Sequence, residues 1–199
     1  MPTWRKYLMD DVDVKTGVWK AASGFERSEF FSFYNGLLNS ERLLKALEKN
    51  GYVLQFFPHP NIQPYANRFK HDARVTFLSA QMAYRDVYAT SNLMITDYSS
   101  AVFDFAYLRK PVLYCHFDAE TIFEGSHVYT KGYFDYERDG FGEVMYDLES
   151  AVDKIIEYVE NGCQLKEVYK DRIERFFAFN DQNNCRRVLK KVLALPDRK

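Results

Sequence analysis

Apolar residues along the chain follow two patterns, short unbroken runs and longer stretches with helical spacing. Stretches that are apolar almost throughout predict strands at 52–57, 74–78, 92–96 and 112–115. Apolar residues three and four positions apart predict helices at 41–49, 80–90 and 100–109. Strands without alternation, separated by helices, are typical of a parallel sheet that helices cover on both faces. The pattern therefore predicts an α/β fold.

The two ends of the chain differ from this central part. Residues 1–38 are polar and aromatic without a clear period, and we expect them to be irregular. Residues 149–199 are expected to be C-terminal helices, with helical spacing at 149–161, 165–178 and 183–194. The stretch 116–146 is rich in glycine and is expected to cover the carboxyl edge of the sheet. No linker or repeat divides the chain, so residues 1–199 are predicted to form one lobe.

Composition narrows the class of protein further. The 199 residues carry 27 basic and 28 acidic side chains, a balance that argues against a nucleic-acid-coating protein. A hydrophobic share of 47% is ordinary for a globular domain. Three scattered cysteines do not make a disulfide framework, and no apolar stretch approaches the roughly 20 residues of a membrane span. We therefore expect a cytoplasmic protein, with a peripheral contact at the inner face of the membrane left open.

Small polar residues end the predicted strand 92–96 and open the helix after it. Thr96, Asp97, Ser99 and Ser100 lie at its carboxyl end, where open parallel sheets bind ligands. The serine hydroxyls and the unpaired N–H groups of a first helical turn can receive a phosphate or pyrophosphate. Asp97 and Ser99 could instead only cap the helix, as such residues commonly do. Two serines in tandem exceed the need of a cap, so we favour anion binding.

Three further side chains are candidates for the same edge. Asp104, one turn into the helix, could reach a ribose hydroxyl or could face solvent only. His59 follows the strand 52–57 between two prolines, which hold it in a rigid loop. There it could donate to a phosphate or protonate a leaving group, a plain loop histidine being the alternative. Arg5 could present its guanidinium to an anion if its segment also lies at this edge.

Several motifs follow one another in a fixed order along the chain. They are Pro2-Thr-Trp-Arg5, His59-Pro60, Ser91-Asn-Leu-Met-Ile-Thr-Asp-Tyr-Ser-Ser-Ala-Val-Phe-Asp-Phe-Ala106, Lys110-Pro111, Tyr133-Phe-Asp-Tyr136 and Asp181-Gln-Asn-Asn-Cys-Arg-Arg187. In this order and at this spacing the chain resembles the CDP-glycerol glycerophosphotransferase family of teichoic-acid and related capsule polymerases. The resemblance extends over nearly the whole chain, and the Thr-Asp-Tyr-Ser-Ser block with its Phe-Asp is its most specific part.

The resemblance implies a GT-B architecture, in which two Rossmann-like lobes face each other across a cleft. This chain corresponds to the C-terminal, donor-binding lobe. The family's donor-phosphate ligands carry over to His59, Ser99 and Ser100, with Asp104 as a ribose contact. The implied reaction moves glycerol phosphate, or another polyol phosphate, from CDP-glycerol to a polymer hydroxyl and releases CMP.

The resemblance also implies the partners of the chain. We assign the charge on the leaving phosphate to His59, the serines and Arg5 or Arg187, and we expect no metal ion and no other cofactor. The acceptor would be a polyol-phosphate polymer or a lipid-linked molecule, and no nucleic acid is involved. The base that activates it lies in the missing N-terminal lobe or partner chain. The apolar strand that usually precedes Pro-Thr-Trp-Arg is missing, so the chain is expected to start inside the domain and to bind donor without turnover.

Two other functions stay open at this point. A nucleotide-sugar glycosyltransferase or an epimerase-like lobe would share the pyrophosphate site, and preference for UDP over CDP would distinguish it. The chain could also be a nucleotide-binding fragment without catalysis.

Overall fold

The computed structural model describes residues 1–79, 81–123 and 132–196. Its strands are named here in chain order. They are β1 Met9–Val12, β2 Trp19–Ala21, β3 Leu54–Phe56, β4 Val75–Phe77, β5 Met94–Thr96, β6 Val112–Cys115 and β7 Gly142–Met145. The α-helices are α1 Glu29–Leu38, α2 Glu41–Lys49, α3 Tyr84–Thr90, α4 Ala101–Tyr107, α5 Tyr136–Asp139, α6 Leu148–Glu160, α7 Glu167–Phe176 and α8 Asn184–Leu193. Short 3-10 helices lie at Lys6–Leu8, Phe25–Arg27 and Gln63–Arg68.

The strands of the α/β part pair in parallel, in two blocks. β3 pairs with β4, and β5, β6 and β7 pair in that order. β6 is buried on both faces: Leu113 and Cys115 join a core with α1, α2 and α6, while Val112 and Tyr114 join a second core with α3, α4 and α7. Successive side chains of a strand point to opposite faces, so helices cover both sides. The predicted α/β, Rossmann-like arrangement is confirmed.

Local signals placed the central helices and strands correctly. The Ser40 hydroxyl accepts a hydrogen bond from the Leu43 N–H at the start of α2, and Gly51 has a φ of +72° after its end. Lys110 donates its ammonium to the carbonyls of Tyr88 and Ser91 and so caps the end of α3. The C-terminal helices expected within 149–199 are present as α6, α7 and α8.

The expectation that residues 1–38 are irregular was wrong. β1 and β2 form an antiparallel hairpin, and α1 runs from Glu29 to Leu38 with the Ser28 hydroxyl accepting from the Phe31 N–H. The buried face of α1 is largely aromatic, and aromatic side chains favour strands as readily as helices. Tertiary packing of this face, rather than helix propensity, therefore decides the segment.

A strand inside the stretch 116–146 was also missed. β7 begins at Gly142, which lies opposite Val112 of β6. A Cβ at this glycine would lie 1.7 Å from the Val112 carbonyl oxygen, so the close approach of the two backbones requires glycine. The sequence shows only a glycine in a turn-rich stretch. Residues 124–131 of that stretch lie outside the described residues, so the expectation that it covers the carboxyl edge stays a prediction there.

Candidate functional site

A pocket of about 380 Å³ lies at the carboxyl ends of β3 and β5. The segment after β3 contributes His59, the segment after β5 contributes Ser99 and Ser100, and α4 contributes Asp104. Its remaining lining residues are Met1, Pro2, Thr3, Trp4, Phe57, Pro58, Tyr84, Tyr88 and Ala101. Four segments of the chain, residues 1–4, 57–59, 84–88 and 99–104, therefore meet at one edge, as expected for a ligand site of a parallel sheet.

His59 is oriented by its own loop. Its Nδ1 atom accepts a hydrogen bond from the Asn61 backbone N–H at 3.2 Å. In the neutral imidazole this leaves the ring proton on Nε2, which makes Nε2 the donor. The Trp4 ring lies beside it, with 6.2 Å between the ring centroids. The loop thus fixes both the tautomer and the placement of a potential proton donor.

The hydroxyl groups of Ser99 and Ser100 are not fully used in capping α4. Ser100 occupies the position before α4 and makes no side-chain capping hydrogen bond. The Ser99 hydroxyl accepts from the Ala101 N–H at 3.3 Å, a long and local contact. Because α4 has seven residues where ten were predicted, its dipole is a weak source of positive charge. An anion here would be held mainly by hydroxyl and backbone N–H groups.

Arg5 and Asp97 belong to the interior instead of the pocket lining. The Arg5 guanidinium is fully buried between Asp97, at 3.0 Å, and Asp118, at 2.6 Å. Burial alone would lower the pKa of Arg5, but the two carboxylates outweigh it and raise that pKa above its usual range. Asp97 also accepts from the Thr3 backbone N–H at 2.9 Å. Arg5 and Asp97 therefore do not line the pocket and instead fix the segment that carries Thr3 and Trp4, and a substrate contact by either residue stays a prediction.

Thr96 and Arg187 also lie elsewhere than expected. Thr96 is fully buried and donates its hydroxyl to the Met1 carbonyl at 2.7 Å, so it anchors the chain start beside β5. Arg187, on α8, pairs with Asp181 at 2.9 Å and lies 3.7 Å from the centre of the Phe179 ring. Neither residue lines the pocket. In the structure both residues make contacts within the chain, and their substrate contacts stay predictions.

Comparison with known proteins assigns the chain to a family. Residues 1–194 match the CDP-Glycerol:Poly(glycerophosphate) glycerophosphotransferase family. The chain belongs to this family.

The chain spans less than half the length of each relative compared here. It is similar to the minor teichoic acid biosynthesis protein GgaB of Bacillus subtilis (strain 168), with 40% identity over all 199 residues, which span 21% of GgaB. It is 22% identical to a teichoic acid glycerol-phosphate transferase of Staphylococcus aureus, over 96% of this chain and 43% of that protein. The wall teichoic acid polymerase TagF shares the fold at a TM-score of 0.60 and 18% identity, over 96% of this chain and 41% of TagF.

Three residues that line the pocket, Thr3, Trp4 and Tyr84, were not identified as candidates from the sequence. The Thr3 hydroxyl is buried and has no hydrogen-bond partner among the described residues. Tyr84 is 47% exposed at the pocket wall, packed edge-on to Tyr88. Trp4 stands beside His59. The Pro-Thr-Trp-Arg motif pointed at Arg5, whereas its threonine and tryptophan are the residues that reach the pocket.

The charge balance of the pocket is unusual for an anion site. The described lining residues include neither lysine nor arginine. Within the described ranges no cluster of three or more His, Cys, Asp or Glu is placed to hold a metal ion. Asp11-Val12-Asp13 has the Asp-x-Asp spacing, but it lies on the β1–β2 hairpin, where Asp13 accepts from the Lys15 N–H. Histidine, hydroxyl and backbone N–H groups are therefore what this pocket offers to negative charge.

Proposed function

We propose that this chain is the donor-binding lobe of an enzyme that transfers glycerol phosphate, or another polyol phosphate, from CDP-glycerol to a polymer hydroxyl. The observation that carries the proposal is the meeting of His59, Ser99, Ser100 and Asp104 in one pocket at the carboxyl edge of the sheet. Family membership and the names of the relatives, which concern teichoic acid synthesis, support the same reaction class.

The reaction follows from the chemistry of a diphosphate. The acceptor hydroxyl oxygen attacks the phosphorus that carries the glycerol, and the bond from that phosphorus to the bridging oxygen breaks. CMP leaves with the bridging oxygen and gains negative charge, while the hydroxyl proton passes to a base. Such a transfer depends on alignment and on stabilising the charge that develops.

Each pocket residue has a role in this scheme. The hydroxyls of Ser99 and Ser100 and the nearby backbone N–H groups hold the phosphate oxygens. His59 donates from Nε2 to the leaving phosphate. Asp104, which is exposed at the pocket wall, accepts from a ribose hydroxyl. The base that relieves the acceptor of its proton lies in a second lobe or partner chain, which completes the cleft.

Donor binding by the chain alone tests the proposal. Calorimetric titration with CDP-glycerol should give saturable binding, and CMP release should stay at background without the second lobe. Ser99→Ala with Ser100→Ala should weaken binding by about 1–3 kcal/mol, the range for lost hydrogen bonds to a charged group. Ser150→Ala, at the first turn of α6 and outside the pocket, is the matched control and should bind as the wild type does.

Two results would contradict this assignment. Unchanged affinity in the double serine variant would remove the phosphate from this loop. Binding of UDP-sugars without binding of CDP-glycerol would favour a nucleotide-sugar enzyme.

Peripheral contact with a membrane is a second part of the proposal, supported by α8. No described helix combines the length and apolar character that crossing a bilayer requires. The apolar residues that α8 exposes are Val188, Leu189, Val192 and Leu193. The basic residues of the same helix are Arg186, Arg187, Lys190 and Lys191, and it has no acidic residue. Basic amphipathic helices of this kind bind at the surface of anionic bilayers.

Vesicle flotation measures this contact. The chain should bind vesicles that contain anionic phosphatidylglycerol and not vesicles of neutral phosphatidylcholine. Leu189→Asp with Leu193→Asp should reduce binding about tenfold or more, because it removes buried apolar area and adds negative charge. Val14→Asp, at a fully exposed turn far from α8 in sequence, is the control. Equal binding of the α8 variant would show that this helix makes no membrane contact.

A further inference from the structure

The aromatic side chains at the pocket wall differ in how far their rings are accessible. Among the described lining residues, those with aromatic rings besides His59 are Trp4, Phe57, Tyr84 and Tyr88. Phe57 and Tyr88 are buried, so their rings belong to the core. The half-buried Trp4 ring already contacts two other rings, those of Trp19 and His59, at centroid distances of 5.7 Å and 6.2 Å. Tyr84, at 47% exposure, is the most accessible of these four aromatic side chains.

The Tyr84 ring is supported by the two buried aromatic side chains of the wall. Its centroid lies 5.3 Å from that of Phe57 and 5.7 Å from that of Tyr88, which it meets edge-on. The Tyr88 hydroxyl donates to the Ala101 carbonyl at 3.3 Å, which ties α3 to the start of α4. A side chain that is fixed before the ligand arrives loses little freedom on binding. Tyr84 therefore has the properties of a preformed stacking surface.

The charge beside Tyr84 favours one end of a nucleotide donor over the other. Asp104 is exposed at the same wall. Burial raises the pKa of the Tyr88 hydroxyl above its usual range, and the Tyr84 hydroxyl and the Asp104 carboxylate raise it further, so these groups are near neighbours. A carboxylate repels the diphosphate end of the donor, whereas the nucleoside end carries no charge. The nucleoside is thus the end that suits this part of the wall.

The spacing along α4 agrees with this orientation. Asp104 lies four residues after Ser100, which is roughly 6 Å along a helix axis. In a nucleotide the ribose separates the phosphate from the base. A donor with its phosphate at Ser99 and Ser100 and its ribose at Asp104 would therefore carry its base beyond Asp104, toward Tyr84.

We propose that Tyr84 is the surface on which the nucleobase of the donor stacks. This inference rests on the proposed function and adds to it the residue that binds the base. Every nucleobase has a π-face, so stacking on Tyr84 supplies affinity for the nucleoside without selecting cytosine over uracil. Tyr84 contacts the donor far from the phosphorus that reacts, so it contributes to binding and not to the chemical step.

Two substitutions separate the ring face of Tyr84 from the bulk of its side chain. Tyr84→Leu keeps apolar cover over Phe57 and Tyr88 but has no π-face, and it should weaken binding of CDP-glycerol about tenfold in calorimetric titration. Tyr84→Phe keeps the ring and should bind within about twofold of the wild type. Tyr133→Leu is the matched control, because Tyr133 is exposed and does not line the pocket.

Proton NMR of the bound donor gives a readout that does not depend on the folding of any variant. The two carbon-bound protons of the cytosine ring should shift upfield when CDP-glycerol saturates the wild type, because an aromatic face shields protons stacked on it. The same protons should show nuclear Overhauser effects to the ring protons of Tyr84. The upfield shift should be lost in Tyr84→Leu and retained in Tyr84→Phe.

The outcomes distinguish this inference from the proposed function. If the double serine variant loses affinity while Tyr84→Leu leaves both the affinity and the cytosine shifts unchanged, the donor site is correct and the base lies elsewhere. Equal losses of affinity in Tyr84→Leu and Tyr84→Phe would show that the hydroxyl, and not the ring face, contacts the donor. No binding of CDP-glycerol by the wild type would contradict the proposed function and this inference with it.

Discussion

Replacing His59 by alanine in a form that contains both lobes is expected to lower kcat about 100-fold or more. In the proposed transfer, the described lining residues offer no lysine or arginine to the leaving phosphate, so the loss of the His59 imidazole removes the main proton donor. CMP release with saturating CDP-glycerol and acceptor measures the effect. Nucleotide affinity should change much less, because the serine hydroxyls and backbone N–H groups remain.

Two companion variants separate the possible roles of this histidine. His59→Gln retains a neutral N–H group that can hydrogen-bond to CDP-glycerol but cannot transfer a proton. It should therefore bind CDP-glycerol as the wild type does, without recovering kcat, if the role of His59 is proton donation. His71→Ala is the matched control, because His71 packs on Phe77 with 4.3 Å between ring centroids and does not line the pocket. Wild-type turnover in His59→Ala would mean that His59 is an ordinary loop residue.

Replacing Arg5 by methionine should lower the free energy of unfolding by about 3–5 kcal/mol, the range for removing one partner of a buried ion pair. The change leaves the carboxylates of Asp97 and Asp118 buried without their cation. Urea unfolding measures it, and the slope with denaturant should stay constant if the native state keeps its compactness.

An exposed arginine provides the control for this prediction. Arg42 pairs with Asp153 at the surface, with 53% of its side chain exposed, and Arg42→Met should cost less than about 1 kcal/mol. Combining Arg5→Met with Asp118→Asn should be less destabilising than the sum of the two single changes, because the second change removes one of the buried carboxylates left without a cation. A loss below about 1 kcal/mol in Arg5→Met would show that the buried cluster is not what holds the chain start in place.

The buried ion pairs of Arg5 with Asp97 and Asp118 stabilise the fold and also hold part of the pocket wall in place. Asp97 receives both the Arg5 guanidinium and the Thr3 N–H, so the segment with Thr3 and Trp4 is held at the pocket wall by a buried charge network. Arg5 thus holds this segment in place through its contacts with Asp97 and with the Thr3 carbonyl.

Local patterns in the sequence determined the central elements and four of the candidate site residues. The unbroken apolar runs and the Ser40 and Gly51 boundary signals act over a few residues, so the pattern is sufficient to place β3, β5 and α2. Ligand sites of parallel sheets lie beyond the carboxyl ends of the strands, which is why the residues following β3 and β5 could be expected to meet.

Only the tertiary structure decided the features that depend on residues far apart in the chain. Arg5 has the same local sequence whether its guanidinium meets an anion or a carboxylate, and the partner that decides, Asp118, is 113 residues away. Gly142 becomes a strand residue only because the backbone of Val112 lies against it. The cavity lined by residues of β3 and β5 likewise forms only because two blocks of the folded sheet face each other. Charge pairing, close backbone approach and strand order are set by long-range packing, which the local pattern of apolar and polar residues does not encode.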